Sequence, residues 1–185
     1  MENNASINAK GTVIWFTGIP ASGKTTLGKA LETVLKLNKY NVELLDGDEI
    51  RRSLSPDLGY SKEERERHAY RVIYIAKLLE RNNVFVIVTL ISPYKATRQF
   101  ARNSLSNFVE VYVKAPLEIC ISRDPKGLYK KALNGEIHGF TGIDDPYEVP
   151  DNPDIVVETD KRTVEQCTGD ILRHLKKVQL IKNPV

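Results

Sequence analysis

The segment Gly18-Ile19-Pro20-Ala21-Ser22-Gly23-Lys24-Thr25 constrains this chain more than any other stretch. It fits the pattern G-x-x-x-x-G-K-[ST], follows the apolar run at residues 13–16 and precedes a helix-forming stretch. A strand, a glycine-containing loop and a helix in this order are typical of a P-loop. In that loop, backbone N–H groups and the helix N-terminus surround phosphate oxygens. The alternative is an ordinary strand-to-helix turn, but the complete pattern in this context favours the P-loop.

Two side chains at the end of this loop predict the ligand and its metal. In P-loop proteins the lysine, here Lys24, contacts the β- and γ-phosphates of the nucleotide, and the next hydroxyl, here Thr25, is a ligand of Mg²⁺. The sequence therefore predicts ATP with Mg²⁺ as the phosphoryl donor. Lys24 is also expected to stabilise charge on the transferred group.

Apolar runs alternate with stretches of helical periodicity, which is typical of a parallel α/β domain. The predicted strands are residues 12–17, 42–45, 84–89, 108–113 and 155–158. The predicted helices are residues 24–37, 62–81, 95–104, 117–123 and 164–178. We predict a single domain over residues 1–185 with a three-layer P-loop fold, in which a five-stranded parallel sheet is flanked by helices. Residues 1–11 are interpreted as an N-terminal extension.

Residues 124–152 interrupt this alternation. Glycine and proline punctuate the stretch, and only residues 128–132 have a pattern compatible with a short helix. A stretch of this length inside a compact domain is usually a lid, a binding loop or disorder. The aromatic residues Tyr129, Phe140 and Tyr147 argue against disorder, so we predict a lid or substrate-binding loop.

Charge and cysteine content narrow the class of protein. The net charge of +3 is too small to predict nucleic-acid binding and is compatible with small anionic ligands. Cys120 and Cys167 are the only cysteines, which predicts a reducing, cytoplasmic compartment rather than a disulfide framework. The first eleven residues lack the apolar core of a signal peptide, and no apolar run has membrane-spanning length. We therefore expect neither a nucleic-acid nor a membrane partner.

Two acidic residues, Asp46 and Asp48, directly follow the second predicted strand. The carboxyl ends of parallel strands face the ligand crevice, so both are expected beside the P-loop. There they could hold Mg²⁺ through water, orient an acceptor hydroxyl or take its proton. The alternative for Asp48 is that it only caps the next helix.

The helix at residues 62–81 begins with a capping box formed by Ser61 and Glu64. Its inward stripe consists of Val72, Ile75, Ala76 and Leu79. Arg65 and His68 extend that stripe towards the N-terminus. A charged residue that continues a buried face should face a cleft, so Arg65 is predicted to bind an anion. His68 is either a ligand contact or a histidine satisfied at the edge of the core.

Arg51, three residues after Asp48, is a second candidate for binding an anionic group, with a surface arginine as the alternative. Arg67 and Arg71 lie off the buried stripe and are interpreted as solvated surface charges.

The third predicted strand ends without an acidic residue, so the standard Walker B aspartate is missing. This argues against a motor or switch NTPase and leaves metal binding to Thr25, Asp46 and Asp48. Ser92 follows the same strand. It could contact a ligand, or it could cap the helix after Pro93.

The sequence resembles the adenylylsulfate kinase family from about Val13 to Pro153. The matching motifs are Phe16-Thr17-Gly18 with Gly23-Lys24-Thr25-Thr26, Leu45-Asp46-Gly47-Asp48, Leu58-Gly59-Tyr60-Ser61 with Arg65, Ile91-Ser92-Pro93-Tyr94 with Arg98, Arg123-Asp124-Pro125-Lys126-Gly127-Leu128-Tyr129-Lys130-Lys131-Ala132, and Gly139-Phe140-Thr141-Gly142-Ile143-Asp144-Asp145-Pro146-Tyr147-Glu148. The P-loop identifies only the superfamily, whereas the last two motifs are long and specific.

The resemblance implies transfer of the γ-phosphoryl group of Mg-ATP to adenosine 5′-phosphosulfate, giving ADP and 3′-phosphoadenosine 5′-phosphosulfate for sulfate assimilation. It implies ATP binding by residues 18–26 and Arg123, and a lid that closes over both nucleotides. The implied acceptor site consists of Asp46, Asp48, Arg51, Tyr60, Arg65, His68, Ile91, Ser92, Lys126 and Phe140. Tyr60 and Phe140 would stack on the acceptor adenine, and Asp48 would lie nearest the 3′-hydroxyl. The implied metal residues are Thr25 and Asp46.

Three departures accompany the resemblance. His68 stands where the family has asparagine, Tyr60 where it usually has phenylalanine, and residues 19–22 differ from the common Leu-Ser-Gly-Ala. Ser92 matches a position described in the family as a phosphoserine intermediate, but no neighbour in sequence could activate its hydroxyl. We therefore expect direct transfer.

Two alternatives remain open at this stage. One is another small-molecule P-loop kinase, and the other is a non-catalytic module that senses the phosphorylated product. The intact P-loop favours an enzyme. Members of the family are often dimers, so a homodimer is possible.

Overall fold

The computed structural model of the chain describes residues 10–182. Five strands and seven helices follow one another in the order β1 (Thr12–Thr17), α1 (Lys24–Leu37), β2 (Val42–Asp46), α2 (Gly47–Leu54), α3 (Lys62–Glu80), β3 (Phe85–Thr89), α4 (Lys95–Ser104), β4 (Phe108–Lys114), α5 (Leu117–Arg123), α6 (Leu128–Leu133), β5 (Ile155–Glu158) and α7 (Val164–Lys177). None of these helices is both long and apolar enough to cross a membrane.

All strands are parallel and lie in the order β2-β3-β1-β4-β5. In the centre, Ile14 is paired with Ile87 on β3 and with Val109 on β4. Every residue of β1 is buried, which accounts for its continuous apolar sequence. The carboxyl ends of β1, β2 and β3 therefore lie at one edge of the sheet. The P-loop follows β1, Asp46 is the last residue of β2, and Ser92 comes shortly after β3.

Helices cover both faces of this sheet. On one face, Leu31 of α1 and Ile171 of α7 pack into a core with Ile14 and Ile87. On the other, Val72 of α3 joins a second core, together with side chains of α4 and of the strands. The predicted three-layer parallel fold is confirmed.

The boundaries of the predicted strands and helices agree with the structure to within about a residue. The sequence did not predict α2, because this short helix is strongly polar and only Ile50 and Leu54 pack against the core. Residues 1–9 of the predicted extension lie outside the described residues. Gly11 packs against α3, where an added Cβ would lie 1.8 Å from the Glu80 carbonyl oxygen, so the extension ends before Gly11.

The predicted lid contains α6 and a single β-bridge between Thr141 and Asp145. It is attached to the body at several points. The Tyr129 hydroxyl donates to the Pro20 carbonyl oxygen at 3.0 Å, and the Glu148 backbone N–H donates to the Pro93 carbonyl oxygen at 2.9 Å. The lid therefore has defined contacts with both the P-loop and the Ser92 turn.

Candidate active site

The P-loop connects β1 to α1 through backbone that requires glycine at two points. A Cβ at Gly18 would approach the Val113 carbonyl oxygen to 2.5 Å, and Gly23, which precedes α1, has φ of 104°. The sharp turn between them surrounds Lys24, whose ammonium donates to the carbonyl oxygens of Gly18 and Ile19, both at 2.8 Å. The loop is thus already folded around its lysine.

Lys24 is almost fully buried. Burial lowers the pKa of its ammonium to about 7, while the nearby Asp46 carboxylate acts in the opposite direction. Nucleotide phosphates placed beside this group would favour its charged form. The position of Lys24 is therefore suited to a ligand that brings negative charge.

Asp46 links the P-loop to the neighbouring strands. Its Oδ2 accepts hydrogen bonds from the hydroxyls of Thr25 at 2.7 Å and Thr89 at 3.0 Å. Its Oδ1 accepts from the Asp48 backbone N–H at 3.1 Å, so Asp46 is the N-cap of α2. The interpretation of Asp48 as the cap is therefore wrong.

The oxygen atoms of Thr25 and Asp46 fit Mg²⁺. This ion is usually held by one or two carboxylates together with substrate phosphates and water, rather than by a complete protein cage. Residues 10–182 contain no group of three or more histidine, cysteine, aspartate or glutamate residues that could hold a metal on their own.

Asp48 lies in the first turn of α2 with its carboxylate largely exposed to the cavity described below. The Lys126 ammonium reaches it from the lid and forms an ion pair with Oδ2. The lid thus brings a positive charge to the edge of the sheet where Lys24 and Asp46 already lie.

One cavity of about 1480 Å³ contains most of the predicted site. It is larger than the roughly 300–1,000 Å³ usual for one small ligand. The predicted residues that line it are Pro20, Ala21, Gly23, Lys24, Thr25, Thr26, Asp46, Asp48, Arg51, Tyr60, Arg65, His68, Ile91, Ser92, Arg123, Lys126 and Phe140. The predicted residues Gly18, Ile19 and Ser22 do not line it; the first two contribute the carbonyl groups that hold Lys24.

At one end of the cavity, Arg123 connects the P-loop to the loop after β5. It donates to the Ala21 carbonyl oxygen at 3.4 Å and to the Thr159 carbonyl oxygen at 2.7 Å. Arg162 and Thr163 line the cavity beyond it. This end therefore continues from the phosphate loop towards the start of α7.

At the opposite end, two arginines surround the exposed ring of Tyr60. The Arg51 guanidinium lies 4.4 Å from the centre of the ring and donates to the Gly59 carbonyl oxygen. The Arg65 guanidinium lies 5.6 Å from the same ring. Phe140 lines this part of the cavity from the lid, where its ring meets the Tyr129 ring edge-on at 5.0 Å.

Arg65 also attaches α3 to the lid. Its Nη1 donates to the Thr141 hydroxyl at 3.0 Å, and its Nη2 donates to the Gly139 carbonyl oxygen at 2.5 Å. Its Nε donates to the Tyr60 carbonyl oxygen at 2.7 Å. The predicted anion ligand thus holds Tyr60 and the Phe140 segment in place on either side of the cavity.

His68 was interpreted either as a ligand contact or as a histidine satisfied at the edge of the core, and it has features of both. Only 3% of the residue is exposed, and Nδ1 lies 2.9 Å from the Ser55 hydroxyl. Its Nε2 has no partner among the described residues, although the residue lines the cavity. Burial, together with Arg51 and Arg71, lowers the pKa of the imidazole to about 4. His68 is therefore a neutral side chain with one unpaired nitrogen.

Ser92 faces the interior. Its backbone has φ of 45°, and its hydroxyl accepts a hydrogen bond from Trp15 Nε1 at 3.0 Å. The N-cap of α4 is Tyr94, and the first N–H of the helix donates to Glu148 Oε2 at 2.6 Å, so the interpretation of Ser92 as a cap is wrong. No base is recorded in hydrogen-bond contact with the Ser92 hydroxyl within residues 10–182.

Sequence reasoning did not assign a role to Arg98, a buried residue of α4. Its guanidinium donates to the carbonyl oxygens of Ser92 and Glu148, both at 2.5 Å, and pairs with Glu110 at 3.0 Å. It therefore joins the Ser92 turn, the end of the lid and β4. Its presence in a family motif was the only sequence signal, because a buried arginine cannot be distinguished from an exposed one by type.

Residues 10–158 match the family model described as adenylylsulphate kinase. The chain belongs to the adenylylsulphate kinase family. A probable adenylyl-sulfate kinase of Pseudomonas aeruginosa is 54% identical over 167 residues, which are 90% of this chain and 78% of that protein. An adenylyl-sulfate kinase of Halothermothrix orenii is 48% identical over 177 residues, 96% of each chain.

A solved structure supports the same assignment. The adenylylsulphate kinase CysC of Mycobacterium tuberculosis, in complex with AMPPNP and APS, matches with a TM-score of 0.87 and 38% identity, covering 91% of this chain and 99% of that one. A gluconokinase from Sinorhizobium meliloti, at 14% identity and a TM-score of 0.59, shares the fold alone. The resemblance found in the sequence is confirmed, and as an adenylylsulphate kinase the chain is an ATP-dependent phosphotransferase.

Proposed function

We propose that this chain transfers the γ-phosphoryl group of ATP to the 3′-hydroxyl of adenosine 5′-phosphosulfate, in sulfate activation. The observation that carries the proposal is a single cavity that is lined by the P-loop, by the Tyr60 ring with Arg51 and Arg65 beside it, and by Phe140. Tyr60 and Phe140 can receive a purine between them, and Arg51 offers positive charge for an anionic group. A sugar acid has no aromatic base that could stack on these two rings.

The transfer takes place where Lys24, Asp46 and Asp48 meet. The 3′-oxygen forms a bond to the γ-phosphorus as the bond from that phosphorus to the bridging oxygen of ADP breaks, in one in-line step. Asp48 accepts the proton of the hydroxyl, and Lys24 neutralises charge on the transferred group. Mg²⁺, when bound beside Thr25 and Asp46, supplies further charge neutralisation.

Lys126 and Arg65 prepare this site from the lid side. The Lys126 ammonium lies against Asp48 and can move to the phosphosulfate as the hydroxyl arrives. Arg65 holds Phe140 over the acceptor end and thereby helps to exclude water.

A comparison of acceptors tests the proposal. ADP release would be measured with Mg-ATP and adenylylsulfate, gluconate, shikimate or AMP in turn, and the product of the first would be identified by ³¹P NMR. We expect the highest specificity constant with adenylylsulfate and a new 3′-phosphate. A higher value with another acceptor would favour a different small-molecule kinase, and binding without turnover would favour a product sensor.

The proposal includes a homodimer in a reducing, cytoplasmic compartment. Cys120 and Cys167 are both buried free thiols. Tyr70, Tyr74 and Phe100 are exposed aromatic residues on α3 and α4, and the rings of Tyr70 and Phe100 lie 4.8 Å apart. Light scattering should give twice the mass of the chain, and Tyr74→Glu should lower it. A monomeric wild type would refute the dimer.

A further inference from the structure

His68 presents a buried polar atom that the protein does not satisfy. Its Nε2 has no hydrogen-bond partner among residues 10–182, yet the residue is 97% buried and lines the cavity beside Arg51 and Tyr60. A buried polar atom without a partner is rare and destabilises the fold. Because His68 lines a ligand cavity, we infer that its unpaired nitrogen bonds to the ligand when the site is occupied. The direction of that bond depends on which nitrogen carries the proton.

The contacts of Ser55 decide this direction. The Ser55 hydroxyl lies 2.9 Å from His68 Nδ1 and also 3.3 Å from Arg71 Nη1. Arg71 can only donate, so the serine oxygen accepts from the guanidinium and its hydrogen must point elsewhere. In the described part of the chain, the only recorded acceptor in reach of that hydrogen is His68 Nδ1. Nδ1 is then unprotonated, and the proton of the neutral imidazole lies on Nε2.

Arg71 is itself held in place. It donates to both carboxylate oxygens of Asp57, at 2.6 and 2.7 Å, and to the Leu54 carbonyl oxygen at 2.9 Å. These contacts direct its Nη1 towards the end of α2, where Ser55 is 1% exposed. A residue that the sequence assigned to the solvated surface is therefore the start of a hydrogen-bond chain that ends in the cavity.

We propose that Ser55 and Arg71 are positioning residues that fix His68 as its Nε2–H tautomer, so that the imidazole donates a hydrogen bond to the acceptor nucleotide. The proposal rests on the proposed function for the identity of that ligand. The group recognised is a hydrogen-bond acceptor, such as a ring nitrogen or a ribose oxygen. An asparagine could accept or donate at this position, whereas His68 in this tautomer only donates. A ligand with a donor at the same point is disfavoured.

The tautomer can be measured without any assay of activity. The chain contains three histidines, so protein labelled with ¹⁵N-histidine gives few imidazole signals, and His68→Asn assigns those of residue 68. Long-range ¹H–¹⁵N correlation at pH 7 should show an unprotonated Nδ1 and a protonated Nε2. Ser55→Ala should give a mixture of tautomers, and Ser53→Ala, an exposed serine of α2, should leave the spectrum unchanged. A protonated Nδ1 in the wild type would overturn the proposal.

Steady-state kinetics test whether this tautomer affects binding of the acceptor. Ser55→Ala should raise KM for adenylylsulfate about threefold to tenfold, with kcat and KM for ATP close to those of Ser53→Ala. Arg71→Gln should act in the same direction, and Arg71→Lys, which still donates to Ser55, should recover part of the loss. Equal changes in both KM values would indicate general damage to the fold and refute a specific role. If adenylylsulfate is not a substrate but the NMR result holds, the proposed function fails and the tautomer assignment stands.

Discussion

At the scale of single residues, Lys24 shows how a site can be both buried and charged. Its ammonium donates hydrogen bonds to the Gly18 and Ile19 carbonyl oxygens. Lys24→Ala removes that charge from the transition state and should lower kcat by on the order of a hundredfold or more. Steady-state kinetics with Lys36→Ala as the control would check this, since Lys36 is exposed and paired only with Glu32. A value within threefold of wild type would contradict the assigned role.

His68 predicts a dependence of stability on pH. Its pKa in the folded chain is about 4, below the usual histidine value of 6.5, so the unfolded chain binds the extra proton first as the pH falls. The contribution of the neutral His68 imidazole to folding stability is complete above pH 6.5 and is lost as the pH falls towards 4. When the pH falls from 7 to 5, the free energy of unfolding should decrease by about 1–2 kcal/mol less in His68→Asn than in the wild type. Urea unfolding at both pH values measures this, and equal losses would refute the buried neutral imidazole.

Ser92 is predicted to be a structural residue. Ser92→Ala leaves Trp15 Nε1 without its partner and should cost about 1–3 kcal/mol of stability. Activity per folded molecule should stay within roughly tenfold of wild type, the scale of one hydrogen bond. Ser92→Gly also relieves the left-handed backbone and should be the more stable of the two. With ATP that carries a chiral γ-phosphate, the configuration at the transferred phosphorus should be inverted in the product. Retention of configuration, together with an inactive Ser92→Ala variant, would establish a phosphoserine intermediate.

At the scale of elements, we predict that the lid contacts the two nucleotides through different side chains. Phe140 faces the acceptor end, whereas Tyr129 contacts the P-loop. Phe140→Ala should weaken acceptor binding by about 1–3 kcal/mol, the value of one base stacked on an aromatic ring, with little effect on ATP. Calorimetric titration of each ligand would measure this. Leu133→Ala, at an exposed position in α6, is the control. Equal losses for both ligands would mean that the whole lid had been disturbed.

Element by element, the sequence predicted most of the scaffold because the signals were local. The five predicted strands are all present, with β1 and β3 buried at every position, and the Ser61–Glu64 capping box begins α3 as expected. It missed α2, whose polar sequence carries no apolar stripe. The alternative role of Asp48 as the helix cap was wrong, because either carboxylate could cap and only the backbone geometry shows that Asp46 does.

At the scale of the whole molecule, ligands should stabilise the fold in proportion to their binding. Each ligand at about one hundred times its Kd adds about 2.7 kcal/mol, which for a chain of this size raises Tm by about 5–11 °C. Thermal unfolding with Mg²⁺ and a non-hydrolysable ATP analogue should show this rise in the wild type. The rise should be smaller for Lys24→Ala at the same concentrations. No rise at saturating analogue would contradict the nucleotide site.

The sequence by itself determined the succession of the strands and of every helix except α2, and it determined the P-loop and the family. It also predicted many of the residues that line the cavity. Each of these rests on side-chain type at fixed spacing. Only the tertiary structure decided what those residues contact. It turned Ser92 towards Trp15, used Arg65 to hold the lid, and made Arg71 the start of a chain through Ser55 to His68. These partners come from separate elements. Whether an arginine is solvated or buried depends on which carbonyl and carboxylate groups the fold brings to it, and no local pattern records that.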